Sequence, residues 1–259
     1  MEFDLLSAIE LTVSASVAIS VLAVGFGENI GVRLRIAGGL TLWFVLVTIL
    51  AATEVLTYQH GVGAPGLGVA VILPIVILSV SVLRSPTLRR ALETIPLFIL
   101  IGVHAIRILG VTFLILYAAG RLPAPFAPVA GWGDFMVGLA AGPVAWLVYK
   151  HGAAVRPWVL VWNILGLLDL IAAIGLGAVS SPGPLRLIFT EPGSAIMTTL
   201  PWLLIPGFLV PLLASTHLAV FYRLNRSESF GSPNRQLKIE GGAFVEGIQP
   251  NTRQSSGLA

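Results

Sequence analysis

The stretch IPLFILIGVHAIRILGVTFLILYA fills residues 95–118 and carries one permanent charge, Arg107, in an otherwise apolar run. About 20 apolar residues at ~1.5 Å each cross the hydrocarbon core of a bilayer, so the stretch has the length of one span. Helix is the conformation open to it there, because backbone N–H and C=O groups in lipid have to be bonded within the segment. His104 stands one turn before Arg107. A cation at the bilayer centre costs about 2.5–3.5 kcal/mol on insertion scales, so Arg107 requires a partner or a task.

Working outward, six further apolar segments match it in length. The expected spans are residues 4–25, 36–57, 66–83, 95–118, 132–149, 157–178 and 195–222. The fold expected is all-α: a polytopic bundle of seven transmembrane helices over residues 1–224. The loops alternate in charge. Arg33, Arg35, Arg84, Arg89, Arg90, Lys150, Arg156, Arg223, Arg226, Arg235, Lys238 and Arg253 fall on one side, twelve in all, against Arg121 and Arg186 on the other. The positive-inside rule then sets the N-terminus outside and the C-terminus in the cytoplasm. The first residues carry Glu2 and Asp4 and lack a basic n-region, so the first segment reads as a retained helix. Residues 225–259, rich in Ser, Gly, Asn and Gln, read as a disordered cytoplasmic tail.

Composition agrees. Of 259 residues 56% are hydrophobic and 10% charged, and mean hydropathy is +0.93. A soluble domain carries about 25% charged residues. The lipid bilayer is therefore the expected partner, in a multi-pass cell-membrane protein. The excess of Arg over Lys, with much Ala, Gly, Leu and Val, has the look of a bacterial chain from a GC-rich genome. The basic residues sit where topology wants them, so nucleic acid is not an expected partner. Cysteine is absent, which excludes thiolate metal sites and cysteine nucleophiles. No cofactor or metal site is expected. A retinal Schiff base needs a lysine inside a helix, and Lys150 and Lys238 lie outside the spans. Among histidines only His104 and His217 fall in spans, about 7 Å apart in depth by residue count, which argues against bis-histidine haem.

The candidate site follows from depth. Counting residues at ~1.5 Å each, Arg107 lies roughly 20 Å and Asp169 roughly 18 Å from the cytoplasmic ends of their helices, and Glu10 about 9 Å from the outer face. Arg107–Asp169 is the expected intramembrane ion pair, as clamp or as working site, since a guanidinium forks onto a carboxylate and stays charged when buried. His104 would tune it. Glu54 and Asp134 lie near helix ends, where they reach either the same cavity or interfacial water. Were they all to face one cavity, the carboxylates would outnumber the arginine, and the surplus charge would carry a proton or bind a cation. Asn163 and His217, at similar depth, are expected to hydrogen-bond. The stripe Ala8, Thr12, Ser16 and Ser20 reads as a helix-packing surface. Pro201, Pro206 and Pro211 with Gly207 predict a kinked or locally unwound last helix.

Residues 107–134 carry a further pattern: Arg107, Gly110, Phe113-Leu114, Gly120, Leu122-Pro123, Phe126-Ala127, Ala130-Gly131 and Gly133-Asp134. It resembles a group of uncharacterised bacterial multi-helix membrane proteins and implies no activity. It implies that the end of the fourth span, the proline loop and the start of the fifth form one unit. Residues 120–131 are expected to be non-helical, with Asp134 capping the fifth helix.

Three functional readings stay open. The first is a small-molecule or ion transporter or a ligand-binding sensor, with a polar site at Arg107 and Asp169 and a cavity touching Arg107. The second is a membrane-embedded enzyme acting on a lipid or quinone, with His104 and a carboxylate as acid and base and a lateral opening beside His104. The third is a structural subunit of a membrane complex.

Overall fold

Prolines and glycines mark where the helices start and stop. The structure, a computed structural model, describes residues 2–26, 29–60 and 62–226. The expectation for the tail falls almost wholly outside them. Nine α-helices are present among the described residues: α1 (Glu2–Phe26), α2 (Ile30–Ala52), α3 (Pro65–Arg84), α4 (Pro86–Thr94), α5 (Leu97–Gly102), α6 (Val111–Ala118), α7 (Phe126–His151), α8 (Arg156–Ser180) and α9 (Val210–Asn225). Proline occupies the first turn of α3, α4 and α8, where its missing N–H has no helical acceptor to lose. Beyond the helices, one isolated antiparallel bridge joins Gln59 and Gly63.

Among the described residues six helical runs are long and apolar enough to cross a membrane: 3–26, 30–52, 65–84, 97–118, 126–180 and 205–225. The fifth run, of 55 residues, is α7 and α8 joined through a short 3-10 turn at Gly152–Val155. Gly152, at φ 53°, breaks it, and α8 folds back along α7. The fourth run is composite: α5 and α6 are joined by eight residues of 3-10 helix, Val103–Gly110. The outer surface is apolar to a degree no water-facing surface tolerates, with Leu42, Leu34, Leu73, Ile77 and Leu165 exposed. Exposed Trp146, Tyr149 and Trp158 gather near one end of α7 and α8, and Tyr117 and Trp132 near the other, as aromatic side chains do at the two membrane–water interfaces.

α7 is the centre. It packs on α5, the 3-10 segment, α6 and α8, while α9 closes the bundle against α8 and α5. At one end arginines satisfy helix-terminal carbonyls: Arg223 Nη1 donates to Leu92 O (2.9 Å) and Ile95 O (2.5 Å), and Arg156 Nη2 to Leu224 O (2.9 Å). Cations are favoured at helix C-termini. At the other end Arg121 pairs with Asp4 at 2.7 Å.

Several boundaries differ from the sequence expectation. α2 begins at Ile30 because Asn29 caps it, its Oδ1 accepting from Val32 N at 3.0 Å. It stops at Ala52, which leaves Glu54 in a turn at φ 58°. α7 begins at Phe126, six residues early, so residues 126–131 are helical rather than loop. Pro128 is no obstacle there, since it lies in the first turn. Asp134 is consequently in the third turn of α7 and caps nothing. Amphipathic α4 was not anticipated. The last segment is locally unwound, in line with its prolines: 3-10 at Ala195–Thr198, turns to Leu203, a π-helical turn at Ile205–Leu209, then α9.

Candidate functional site

The 3-10 segment puts His104, Arg107 and Gly110 in one row. At 3.0 residues per turn, positions three apart eclipse, whereas an α-helix would fan them out. All three are buried, and the row faces α7, α8 and α9. α7 approaches it closely through glycine. A Cβ at Gly138 would overlap the backbone of Arg107 and Ile108, and one at Gly133 would overlap the Asp169 carboxylate.

The Arg107 side chain is 1% exposed, and four of its five N–H donors are engaged. Nε donates to Asp134 Oδ1 at 2.6 Å. Nη1 donates to Gly166 O at 3.2 Å and to His217 Nε2 at 3.0 Å. Nη2 donates to Asp169 Oδ2. Three helices thus converge on one guanidinium: α7 with Asp134, α8 with Asp169 and the Gly166 carbonyl, and α9 with His217.

Hydrogen bonds fix the imidazole tautomers. Arg107 cannot accept, so His217 Nε2 is the acceptor and its Nδ1–H donates to Asn163 Oδ1 at 2.7 Å. Asn163 Nδ2 returns a bond to His217 O at 3.1 Å. The Thr216 hydroxyl donates to Leu213 O at 2.8 Å, so His104 Nε2–H donates to Thr216 Oγ1 at 2.9 Å. His104 Nδ1 is buried and has no partner among the described residues. The two rings lie 4.0 Å apart, with Trp162 5.2 Å from each.

The 7 Å depth gap counted from sequence is therefore not kept. α5 starts at Leu97 rather than residue 95 and α9 runs on to Asn225 rather than residue 222, which at ~1.5 Å per residue brings the two histidines to nearly the same depth. Both Nε2 atoms are already engaged. Among the described residues no group of three or more His, Cys, Asp or Glu side chains is arranged to hold a metal ion.

Glu10 on α1 accepts from Thr112 Oγ1 at 2.7 Å. A cavity of about 50 Å³ separates it from Arg107 and Asp134. Glu54 stands apart, exposed after α2. The structure thus gathers Arg107, Asp134, Asp169 and His104 into one polar cluster with Glu10 beside it, and leaves Glu54 out. Thr112, Thr216 and the Gly166 carbonyl were not foreseen. Gly166 had a signal, since it sits three residues before Asp169 and shares its face.

The class defined by this fold and site is an all-helical, membrane-compatible bundle with a buried charge network at its centre. A family model for a domain of unknown function (DUF8737) matches residues 64–225, well over half of the chain, and the protein belongs to that family. Neither the curated proteins nor the solved structures yield a match. Arg107, Asp134, Asp169, Asn163, His104 and His217 all fall inside the matched stretch, whereas α1, α2 and Glu10 precede it.

Proposed function

We propose that this is a seven-span membrane protein, N-terminus outside and C-terminus cytoplasmic, that transports or senses a small molecule or ion. In this reading the Arg107 network is its proton- or cation-exchanging element, and the composition favours a bacterial inner membrane. The observation that carries it is the charge count. Asp134 and Asp169 share one guanidinium, which leaves one negative charge in surplus, and Glu10 across the small cavity adds another. Surplus charge in a low-dielectric interior is met by a proton or a cation, and intramembrane ionisable groups mark such pathways. Arg107 itself acts as the holder of the carboxylates, since four of its donors are occupied and an anionic ligand would have to displace one of them. His104 does not line the small cavity, so the acid–base enzyme reading is not carried forward.

The test uses proteoliposomes on a solid-supported membrane, with step gradients of protons and then of alkali cations. A gradient-driven current in the wild type, lost in Asp169→Asn and in Asp134→Asn, is the expected result. Infrared difference spectra between acid and alkaline buffer should contain a carboxyl band that one of those variants removes. Folded protein giving neither current nor band overturns the proposal and leaves the structural-subunit reading.

A further inference from the structure

A second, larger cavity of about 410 Å³ lies between the N-terminal half of α3, the C-terminal half of α8 and the broken segment before α9. Its walls are almost wholly apolar, among them Val71, Ile72, Phe126, Ala173 and Ile174. Its size is that of a small-molecule site. Phe113, Ile205 and Val210 line both this cavity and the small one at Glu10, so the two are neighbours across those side chains. Ile205 opens the π-helical turn, and such turns are frequent at functional positions.

The two compartments differ in chemistry. The small one offers acceptors. The Glu10 carboxylate takes one hydroxyl hydrogen, from Thr112, out of about four acceptor positions. Asp134 gives only Oδ1 to Arg107. The one cation on its wall, Arg107, is already engaged by both aspartates. At about 50 Å³ the space holds a few water-sized groups, given roughly 10–15 Å³ for each. That fits an ammonium group and is too small for a phosphodiester.

We infer that the two cavities form one site for a long-chain primary amine, its hydrocarbon in the apolar cavity and its ammonium beside Glu10. Phe113 and Ile205 part to let the chain run between them. The inference names a ligand class for the proposed small-molecule role and rests on that role. The amine reaches the site either as a free amphiphile or as a single-chain membrane lipid with an amine head.

The experiment is competition native mass spectrometry of the full-length protein in non-ionic detergent, with equimolar dodecylamine, dodecanol and dodecanoate. The wild type should retain the amine at least tenfold over the alcohol and exclude the acid. Glu10→Gln should bring amine and alcohol to parity while keeping both. Ala173→Phe, which puts a ring into the apolar cavity, should lose the amine and the alcohol alike. If Glu10→Gln does not give monodisperse protein, Glu10→Ala takes its place.

Equal binding of the three ligands, a preference for the acid, a preference unchanged in the Glu10 variant, or no binding to the wild type would each overturn the inference. Lipid extracted from the purified protein separates the sources: an enriched single-chain amine lipid supports the membrane source, and an empty protein that then takes dodecylamine supports the free one. No gradient or flux enters this measurement. A silent current with selective amine binding, and a current without amine binding, are therefore distinct results.

Discussion

The runs Pro65–Arg84 and Ile205–Asn225 are nearly equal in length and pack against each other, yet they are used in opposite ways. The first has mean hydropathy 2.6 and only 6% of its window buried inside the molecule, whereas the second has 1.5 and 61%. The more apolar helix is the more exposed one. In water that order would be reversed. It makes sense when the solvent is hydrocarbon, because polar groups then gain most by turning inward and association rests on packing and hydrogen bonds. His217, Thr216 and Ser215 sit on the buried helix, while Ile72, Leu73 and Val76 sit on the exposed one.

The contrast breaks most sharply at Arg107. Arg107→Leu strands two carboxylates in the interior and should destabilise by about 3–5 kcal/mol, the cost of orphaning one side of a buried pair. Adding Asp134→Asn and Asp169→Asn to it should recover most of the loss. Leu73→Ala on α3, with its side chain exposed, should change stability by about 0.5 kcal/mol or less. Thermal unfolding in a fixed detergent reads all three. An Arg107→Leu melt equal to that of Leu73→Ala would mean that the network contributes nothing to holding the bundle.

Glycine gives the next effect. Gly138→Ala drives a methyl into the Arg107–Ile108 backbone, and overpacking of this kind costs about 1–3 kcal/mol. Gly38 and Gly39 on α2 have no atom within 4 Å of an added Cβ, so Gly38→Ala should stabilise by up to about 0.5–1 kcal/mol through helix propensity. Opposite signs are expected from the same substitution in the same assay.

Thr216→Val removes the partner of His104 Nε2 and should cost about 1–3 kcal/mol, the penalty for a buried unsatisfied donor. The hydrogen of that imidazole, followed by nuclear magnetic resonance, should shift in the variant.

The smallest effect belongs to the exposed Arg186–Glu191 pair in the loop after α8 (2.6 Å). The hydrogen bond from Arg186, and then its charge, hold the Glu191 carboxyl below the usual carboxylate range. Its contribution is complete above the ordinary carboxylate pKa and fades as pH falls through the lowered value. The melting difference between wild type and Glu191→Gln should therefore vanish in acid and stay slight at neutral pH.

The apolar runs were legible because lipid exposure demands them, and Arg107 and Asp169 were legible because charges inside such runs are scarce. Asp134 was singled out but misplaced. Reading Pro123, Pro125 and Pro128 as loop delayed α7 by six residues and pushed the carboxylate toward a helix end. The 3-10 row could not be read from its own residues. Gly102 and Gly110 bracket it, but what holds it is the approach of α7 at Gly138, a contact between distant parts of the chain. α4 escaped because nine residues with Arg89, Arg90 and Glu93 resemble a charged loop when only long apolar runs are sought.

The glycine contacts of α7 also govern how the molecule can move. With Gly133 against the Asp169 carboxylate and Gly138 against the Arg107–Ile108 backbone, α7 has one register on its neighbours. A slip of one turn would drive Asp134 or Phe135 into a gap that admits only hydrogen. Gear teeth cut to that depth do not skid. On α2, by contrast, an added Cβ at Gly38 or Gly39 would meet no atom within 4 Å, so that helix has no such tooth at those positions.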